Sequence, residues 1–248
     1  PPAEPGSHAQ PDVGIGVPHA RARARIGRMN DLDRSVAQMA LGDFAEALAS
    51  DKPTPGGGAA AGITAALGAS LTSMVVRLSL DRPKYAEHTA LHEEALEASD
   101  AARLRFLELA DADATAYATY RAARSMPHET EAEEEARAAV TREAARGAAQ
   151  VPLDVVKACH AQIELVDRVV GRTNLYVASD LEVAALLLDS AARSAAANVR
   201  VNLGSIGDEG FANAVTAELD QRLQQIESTA DRAIERVAKG ALRHPEGE

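Results

Sequence analysis

The 248-residue sequence has few aromatic residues, no tryptophan and a single cysteine. Aromatic and β-branched side chains favour strands, whereas alanine, which is abundant here, is the residue that an α-helix accommodates best. Because one cysteine cannot form an internal disulfide, we expect Cys159 to be a small buried hydrophobic residue in a reducing compartment. The composition therefore predicts an all-α protein of the cytoplasm.

The sequence also lacks a basic stripe of the kind that binds nucleic acid. Its net charge is −11, and four arginines within residues 1–28 precede an acidic body, so nucleic acid is not an expected partner. Residues 1–28 are rich in proline, glycine and alanine and show no periodicity, which predicts a disordered N-terminal extension. They contain no apolar stretch typical of a secretory signal, and we expect Met29 to be the native start.

Strand patterns are almost absent from residues 30–242, where helical periodicity predominates. The predicted helices cover residues 34–50, 58–79, 84–124, 130–170, 179–205 and 208–242. Pro152 is expected to kink or divide the fourth helix, and Ser179 with Glu182 forms a capping-box pattern at the start of the fifth. Helices of this length must lie side by side, so we predict a bundle of long helices in a single domain over residues 30–242.

No charged residue occurs between Gly58 and Val76, a run long enough to cross a bilayer. Small residues dominate this run, and no tryptophan or tyrosine flanks it as an interfacial anchor. Gly58, Gly62 and Ala66 recur every fourth residue, which provides a smooth ridge for close approach of another helix. The run therefore predicts a central buried helix surrounded by neighbours, and no membrane partner.

The segment Thr54-Pro55-Gly56-Gly57-Gly58, directly before that helix, allows two interpretations. Prolines fix φ and glycines turn the chain, which is typical of a tight corner that leads into a helix. Free N–H groups at a helix N-terminus also attract an anionic or polar ligand group. The segment has no Gly-Lys-Ser/Thr, so it is not a nucleotide P-loop, and its residues alone leave both interpretations open.

Asp113 interrupts an apolar stripe on the third predicted helix. At about 100° per residue, it lies on the same face as Leu109 and Tyr117. A carboxylate in such a stripe has a raised pKa unless it is paired, which suits general acid/base chemistry. The alternative is a structural aspartate that pairs with an arginine such as Arg77 or Arg193, or that caps a neighbouring helix.

Polar residues also interrupt the packing face of the fifth predicted helix. Asp180 and Asn198 are five whole turns apart and share a face, and Asn202 lies one turn further on. They form either a hydrogen-bond network between helices or the wall of a pocket. His88 and His92 are spaced i, i+4 but lack a metal-binding context, so we expect them on a solvated face and predict no metal site.

Several of these segments together resemble one known family. They are TPGGGAAAGITAALGASLTSMV, KY, DADATAY and TNLYVASDLEVAALLLDSAARSAAANVRVNL, and they extend over about residues 35–240 in the family's order. The family is the cyclodeaminase/cyclohydrolase family, which includes the C-terminal domain of formimidoyltransferase-cyclodeaminase and free-standing methenyltetrahydrofolate cyclohydrolases. The resemblance implies an all-helical homodimer that acts on a tetrahydrofolate carrying a one-carbon unit, with no metal and no organic cofactor.

The resemblance further implies which residues form the site. Asp113 would be the catalytic residue, and Asp111 is its near neighbour. The substrate-binding positions would be Thr54, Pro55, Gly56, Gly57, Gly58, Lys84, Tyr85, Asp180, Asn198 and Asn202. Lys84, with Lys52 or Arg77 as alternates, would hold the glutamate tail of the folate.

The implied reaction is hydrolysis of 5,10-methenyltetrahydrofolate to 10-formyltetrahydrofolate with Asp113 as general acid/base. The alternative within the family is cyclodeamination of formimidoyltetrahydrofolate with release of ammonia. A different class of function is a helical dimer that keeps the fold as a scaffold or folate-binding module without turnover. The aspartate and the glycine segment favour the enzyme.

Overall fold

The computed structural model describes residues 35–245, and every regular element among them is helical. The α-helices of this part of the chain are α1 (Leu41–Leu48), α2 (Gly57–Arg77), α3 (Thr89–Arg124), α4 (Glu131–Val169), α5 (Ala178–Leu203) and α6 (Glu209–Lys239). Short 3₁₀ segments cover Val36–Gln38, Pro83–His88 and Leu175–Val177. The all-α prediction is confirmed, whereas the predicted disorder of residues 1–28 falls outside the described residues.

Helices α2, α3, α4 and α5 form a four-helix bundle, in which α2 packs between α3 and α5 and α4 closes the opposite side. Helix α6 covers the outer side of α4 and α5. Glycines in α2 allow the close packing: a Cβ on Gly62 would lie 2.9 Å from Ala110 Cβ of α3, and one on Gly68 would lie 2.9 Å from Leu188 Cγ of α5. The small-residue ridge therefore packs as predicted, and the predicted burial of Cys159 is confirmed.

Pro152 does not divide α4, which is continuous from Glu131 to Val169. A proline has no backbone N–H, so the carbonyl four residues earlier, that of Ala148, loses its helical donor. The side-chain amide of Asn202 on α5 donates to this carbonyl at 2.8 Å. The helix is therefore not divided, and a neighbouring helix supplies the missing donor. The kink, the other expected outcome, stays a prediction.

The predicted capping box at the start of α5 is also wrong. The helix begins one residue before Ser179, and Val177 is its N-cap with no side-chain hydrogen bond. The chain is instead turned by Asn174, whose side-chain oxygen accepts from the Tyr176 N–H at 3.2 Å. The first turn of α5 continues directly from a 3₁₀ segment, so it needs no side-chain cap of its own.

A reciprocal capping box is present at the start of α4, where the sequence analysis placed only a helix boundary. The Thr130 hydroxyl accepts from the Glu133 N–H at 3.3 Å, and the Glu133 carboxylate accepts from the Thr130 N–H at 3.0 Å. Both groups satisfy backbone donors that a helix leaves unpaired at its N-terminus.

The first predicted helix is broken into two pieces. A 3₁₀ turn at Val36–Gln38 is separated from α1 because the chain is tied to α3 at this point. The Ser35 hydroxyl and the Val36 N–H both donate to the carboxylate of Asp111, each at 2.6 Å. Phe44 of α1 is buried.

His88 and His92 are buried, so the prediction that they lie on a solvated face is wrong. A ring nitrogen of His92 lies 2.8 Å from the backbone carbonyl oxygen of Arg172. This contact joins the first turns of α3 to the segment that follows α4. Within residues 35–245, no group of three or more His, Cys, Asp or Glu side chains is arranged to hold a metal ion.

Helix α2 is the one helix in the described part of the chain whose length and composition would fit a membrane span, but 61% of its apolar window is buried inside the protein. It is not surrounded on all sides, however. Leu67 is 52% exposed and Met74 is 37% exposed. The prediction of a fully enclosed helix is therefore wrong for the face that points away from α3 and α5.

Candidate active site

The N-terminus of α2 brings Gly58 against Asp113 of α3. Gly56 is the N-cap of α2 and provides no side-chain hydrogen bond. A Cβ built on Gly58 would lie 2.0 Å from one carboxylate oxygen of Asp113, so the carboxylate fills the space that a side chain would need. The Ala59 N–H donates to the same carboxylate. Asp113 therefore caps α2 from a neighbouring helix.

The environment of Asp113 favours its protonated form. Burial raises the pKa of this carboxyl, and the hydrogen bond from the Ala59 N–H lowers it by a smaller amount. The arginines that could have paired with it are engaged elsewhere: Arg77 with Asp100 at 2.5 Å, and Arg193 with Asp189 at 2.9 Å. Of the two structural alternatives, the arginine pair is wrong and the helix cap is present. A cap with a raised pKa can also exchange a proton.

Asn198 of α5 lies on the other side of the same helix N-terminus. A Cβ on Gly57 would be 3.5 Å from its side-chain nitrogen, and that nitrogen donates to the Ser194 carbonyl at 3.0 Å. Gly57 is exposed, so solvent reaches this point of the site. The end of α2 thus places bare backbone between a carboxylate and a carboxamide, with an opening beside them.

The turn before α2 forms the approach to this cluster. Thr54, Pro55 and Gly56 are half-buried, and the Thr54–Pro55 peptide bond is cis. The turn leads directly into Gly57, the first residue of α2. The structure therefore brings together four of the sequence-predicted site residues, Gly57 with Asn198 and Gly58 with Asp113, and Thr54, Pro55 and Gly56 directly precede them in the chain.

The side chain of Asn202 makes a hydrogen bond within the protein instead of lining the open part of the site. Its amide nitrogen donates to the Ala148 carbonyl that Pro152 leaves unpaired. It lies one turn beyond Asn198 and holds α5 against α4 at the level of the site.

Lys84, Tyr85 and Asp180 lie at the opposite end of the bundle. Tyr85 is 3% exposed, and its hydroxyl accepts from the Leu175 N–H just before α5. The Lys84 ammonium lies 5.5 Å from the centre of the Tyr85 ring, and Asp180 is in the first turn of α5. Because α2 has 21 residues, about 30 Å of helix separates this end from Gly57. One copy of the chain does not bring the two groups together.

Asp111 is on a different face of α3 and has a different role. Besides holding Ser35 and Val36, it borders a cavity of about 750 Å³ between α3 and α4. This cavity is lined mainly by apolar and small side chains, and Asp113 is not among them. We place the chemistry at the α2 N-terminus instead, because Asp113, whose pKa burial raises, lies there and not in the lining of the cavity.

Sequence reasoning missed the backbone partner of Asp113 and the bond between Asn202 and Ala148. The second had a visible signal, since a proline inside a long helix always leaves a carbonyl four residues earlier without its donor. The first had none, because only the packing of α2 on α3 shows which N–H group Asp113 meets.

Comparison with known proteins agrees with this fold. The family model described as formiminotransferase-cyclodeaminase matches residues 40–221. Methenyltetrahydrofolate cyclohydrolase of Methylorubrum extorquens is 38% identical over 194 residues, which cover 78% of this chain and 93% of that protein. The chain belongs to the formiminotransferase-cyclodeaminase family, which confirms the resemblance seen in the sequence.

Two further relatives show how much of the chain the similarity covers. Formimidoyltransferase-cyclodeaminase of Sus scrofa is 30% identical over 205 residues, which cover 83% of this chain and 38% of that longer protein. The crystal structure of formiminotetrahydrofolate cyclodeaminase from Thermotoga maritima superposes with a TM-score of 0.74 at 28% identity, covering 82% of this chain and 98% of that one.

Proposed function

We propose that this protein hydrolyses 5,10-methenyltetrahydrofolate to 10-formyltetrahydrofolate, with Asp113 as general acid/base. The family relationship supports a folate one-carbon enzyme, and the relative that matches along 93% of its own length is named a methenyltetrahydrofolate cyclohydrolase. The observation on which the proposal rests is the half-buried Asp113 carboxylate at the open N-terminus of α2.

In the proposed reaction, a water molecule attacks the cationic methenyl carbon that bridges N5 and N10. Asp113 takes one proton from this water as the C–O bond forms, and a neutral carbinolamine results. Asp113 then gives that proton to N5 as the C–N5 bond breaks, while the hydroxyl proton passes to solvent and the formyl group stays on N10. These steps use no metal and no organic cofactor.

The site suits this chemistry in two ways. The Asp113 carboxylate stabilises the positive charge of the bound methenyl group. Because the pKa of this group is raised towards neutral pH, it can also hold the proton taken from water and return it to N5. The Asn198 side chain and the bare backbone at Gly57 can orient the polar edge of the pterin beside it.

Cyclodeamination is the second candidate, because the solved relative from Thermotoga maritima has that activity in its name. In that reaction N10 attacks the formimidoyl carbon and an acid assists the departure of ammonia. Both reactions pass through a tetrahedral carbon next to the same two nitrogens, so one site can serve either.

The test is spectrophotometric. Purified protein is offered methenyltetrahydrofolate and formimidoyltetrahydrofolate in separate assays, and the methenyl chromophore is followed. We expect its enzyme-dependent disappearance with the first substrate and little formation from the second. Formation from formimidoyltetrahydrofolate as the faster reaction would make the protein a cyclodeaminase. Folate binding without turnover, in protein with a helical circular dichroism spectrum, would identify a binding module instead.

A further inference from the structure

Four side chains of α3 form one stripe that begins at the proposed active site. We call it the α3 stripe, and it consists of Asp113, Tyr117, Tyr120 and Arg124. The spacing of these residues places them within about 60° of one another around the helix. The same face of α3 carries Ala110, which packs against Gly62 of α2. The α3 stripe therefore continues, beyond the first residue of α2, on the face that packs against that helix.

The end of α5 forms a second wall opposite the α3 stripe. Asn198 lies beside the first residue of α2. Further along, the Tyr120 hydroxyl donates to the hydroxyl of Ser205, just after α5, at 3.1 Å. This bond joins α3 to the segment that follows α5, about 10 Å beyond Asp113 along the helix. A ligand bound at Asp113 can therefore extend between two walls that are tied together.

Arg124 is oriented at the far end of the α3 stripe. Its side chain is exposed, and its guanidinium donates to the Tyr120 hydroxyl at 3.3 Å. Among residues 35–245 Arg124 forms no ion pair, although the protein has a net charge of −11. A guanidinium has five N–H donors, so one bond to tyrosine holds its plane and leaves donors for a carboxylate.

A basic residue in the last turn of a helix also has a structural role, because it balances the negative end of the helix dipole. Arg121 and Arg124 are both in the last turn of α3. They are about 60° apart around the helix, and only Arg124 is bonded to Tyr120. The dipole accounts for the charge of both arginines but not for this bond, so Arg121 is a matched control for Arg124.

The length of the α3 stripe matches the part of a folate that follows the one-carbon unit. In the proposed substrate N10 carries a benzoyl ring, and the ring carries glutamate. Bond lengths place the ring centre about 4 Å and the two carboxylates about 10–13 Å from the methenyl carbon. Along α3, Tyr117 follows Asp113 by about 6 Å and Arg124 by about 16 Å, and helical side chains lean back towards the N-terminus. Each substrate group thus meets a side chain of complementary chemistry.

We infer that the substrate lies along the α3 stripe, with its benzoyl ring on Tyr117 and its glutamate carboxylates on Arg124. This inference rests on the proposed function. Tyr117 is 38% exposed, so its ring is accessible to a second aromatic ring. Tyr120 is a positioning residue, which orients the guanidinium through its hydroxyl. Lys84, which the resemblance implied for the glutamate tail, is not needed in this arrangement.

Binding of folic acid tests the inference without turnover, because folic acid has the same tail and no methenyl carbon. It is compared by isothermal titration calorimetry with folic acid dimethyl ester, whose tail is uncharged. The parent should bind folic acid about tenfold or more tightly than the ester, since the ester lacks the charged hydrogen bonds. Arg124→Gln should lose this preference, and Arg121→Gln should keep it.

Three results of the calorimetry would overturn the inference. The first is a parent that has no preference for folic acid or binds neither ligand. The second is a preference that Arg124→Gln retains, including one that is lost in Lys84→Gln instead. The third is an equal loss in Arg121→Gln and Arg124→Gln, since the charge of the helix end and not the position of Arg124 would then hold the tail. Thermal unfolding of each variant verifies that it is folded.

The two tyrosines provide a second readout. Tyr117→Ala should weaken binding of folic acid and of the ester by the same factor, about three- to tenfold, because a ring contact does not depend on the charge of the tail. Unchanged affinities in this variant would overturn the position of the ring. Tyr120→Phe should reduce only the preference for folic acid, since Arg124 loses the bond that orients it. An unchanged preference would overturn the positioning role of Tyr120.

Steady-state kinetics separates this inference from the proposed reaction. In Arg124→Gln we expect KM for methenyltetrahydrofolate to rise about tenfold or more and kcat to stay within about threefold, because the arginine is remote from the reacting carbon. A fall in kcat without a rise in KM would overturn the inference. A parent that prefers folic acid through Arg124 but converts neither folate substrate would refute the proposed reaction and leave the binding mode intact.

Discussion

The carboxylate of Asp113 lies where the side chain of residue 58 would begin. The 2.0 Å separation between a Cβ built on Gly58 and an Asp113 oxygen is far shorter than any non-bonded contact. The glycine therefore does more than turn the chain. It leaves the space in which an acid from α3 reaches the first N–H groups of α2.

Gly58→Ala should displace Asp113 and so reduce activity strongly. The short aspartate side chain cannot keep its bond to the Ala59 N–H once a methyl group occupies its place, and we expect kcat to fall about 10²-fold or more. Steady-state kinetics measures this effect. Gly147→Ala is the matched control, since nothing lies within 4 Å of a Cβ there. Equal activity in the two variants would contradict the assigned role of Gly58.

Asp113→Asn should separate catalysis from capping. The amide oxygen of asparagine can still accept from the Ala59 N–H, so the fold is retained, but it cannot take a proton from water. We expect kcat to fall by about 10²–10⁴-fold, as measured with the methenyl chromophore.

Asp111→Asn is the control for that experiment, because Asp111 is two residues away and holds Ser35 and Val36 instead of the site. We expect it to lower the melting temperature and leave kcat within about threefold of the parent. A larger loss of kcat in Asp111→Asn than in Asp113→Asn would transfer the catalytic role to Asp111.

The raised pKa of Asp113 predicts a specific dependence of stability on pH. The folded protein retains this proton at a pH at which the unfolded chain, with an ordinary pKa of about 3.9, has released it. Stability from this group is therefore present below about pH 4 and lost as pH rises through the folded pKa. Asp113→Asn does not titrate, so its melting temperature should rise relative to the parent over that interval. A melting temperature of Asp113→Asn that falls relative to the parent over that interval would contradict the direction of the shift.

Gly57→Ala should weaken substrate binding more than folding. Its Cβ would meet the Asn198 amide at 3.5 Å, an ordinary contact, and Gly57 is the first residue of α2. Alanine reduces the freedom of the unfolded chain, so stability should be unchanged or rise by about 0.4–1 kcal/mol. The methyl group covers the bare backbone beside the substrate, and KM should rise. Gly42→Ala in α1, where a Cβ would have nothing within 4 Å, should leave KM unchanged.

The bond between Asn202 and Ala148 should depend on Pro152. Asn202→Ala leaves a buried carbonyl without a donor, and we expect a loss of about 1–3 kcal/mol in the free energy of unfolding. With alanine at position 152, the restored N–H can serve the same carbonyl, so the loss should be smaller in Pro152→Ala protein. A double-mutant cycle in urea measures this coupling, and simple additivity would show that the contribution of Asn202 does not depend on Pro152.

The sequence predicted the helices well because their signals are local. Apolar spacing placed α3 and α4 to within a few residues, apart from the 3₁₀ segment at Pro83–His88. The broken helix before Phe44 was missed because its cause, Asp111, comes from a distant part of the chain.

The candidate site was predicted only in part, for a geometric reason. Asp180 and Asn198 do share a face of α5, as their spacing indicated, but five turns of helix separate them by about 27 Å. Sharing a face therefore did not mean sharing a pocket. Lys84 and Asp180 lie at the other end of the bundle from Asp113, and the periodicity of single helices does not show which ends of neighbouring helices meet.

Pro152 also helps to fix the position of α5 along α4. Within the 39 residues of α4, it leaves the Ala148 carbonyl, in the interior of the helix, without its helical donor, and the Asn202 side chain supplies one. A slip of α5 by one turn along α4 would leave both groups unpaired, although the apolar contacts could re-form. The proline thereby fixes where α5 ends along α4, and it also fixes the position of Asn198 beside Gly57.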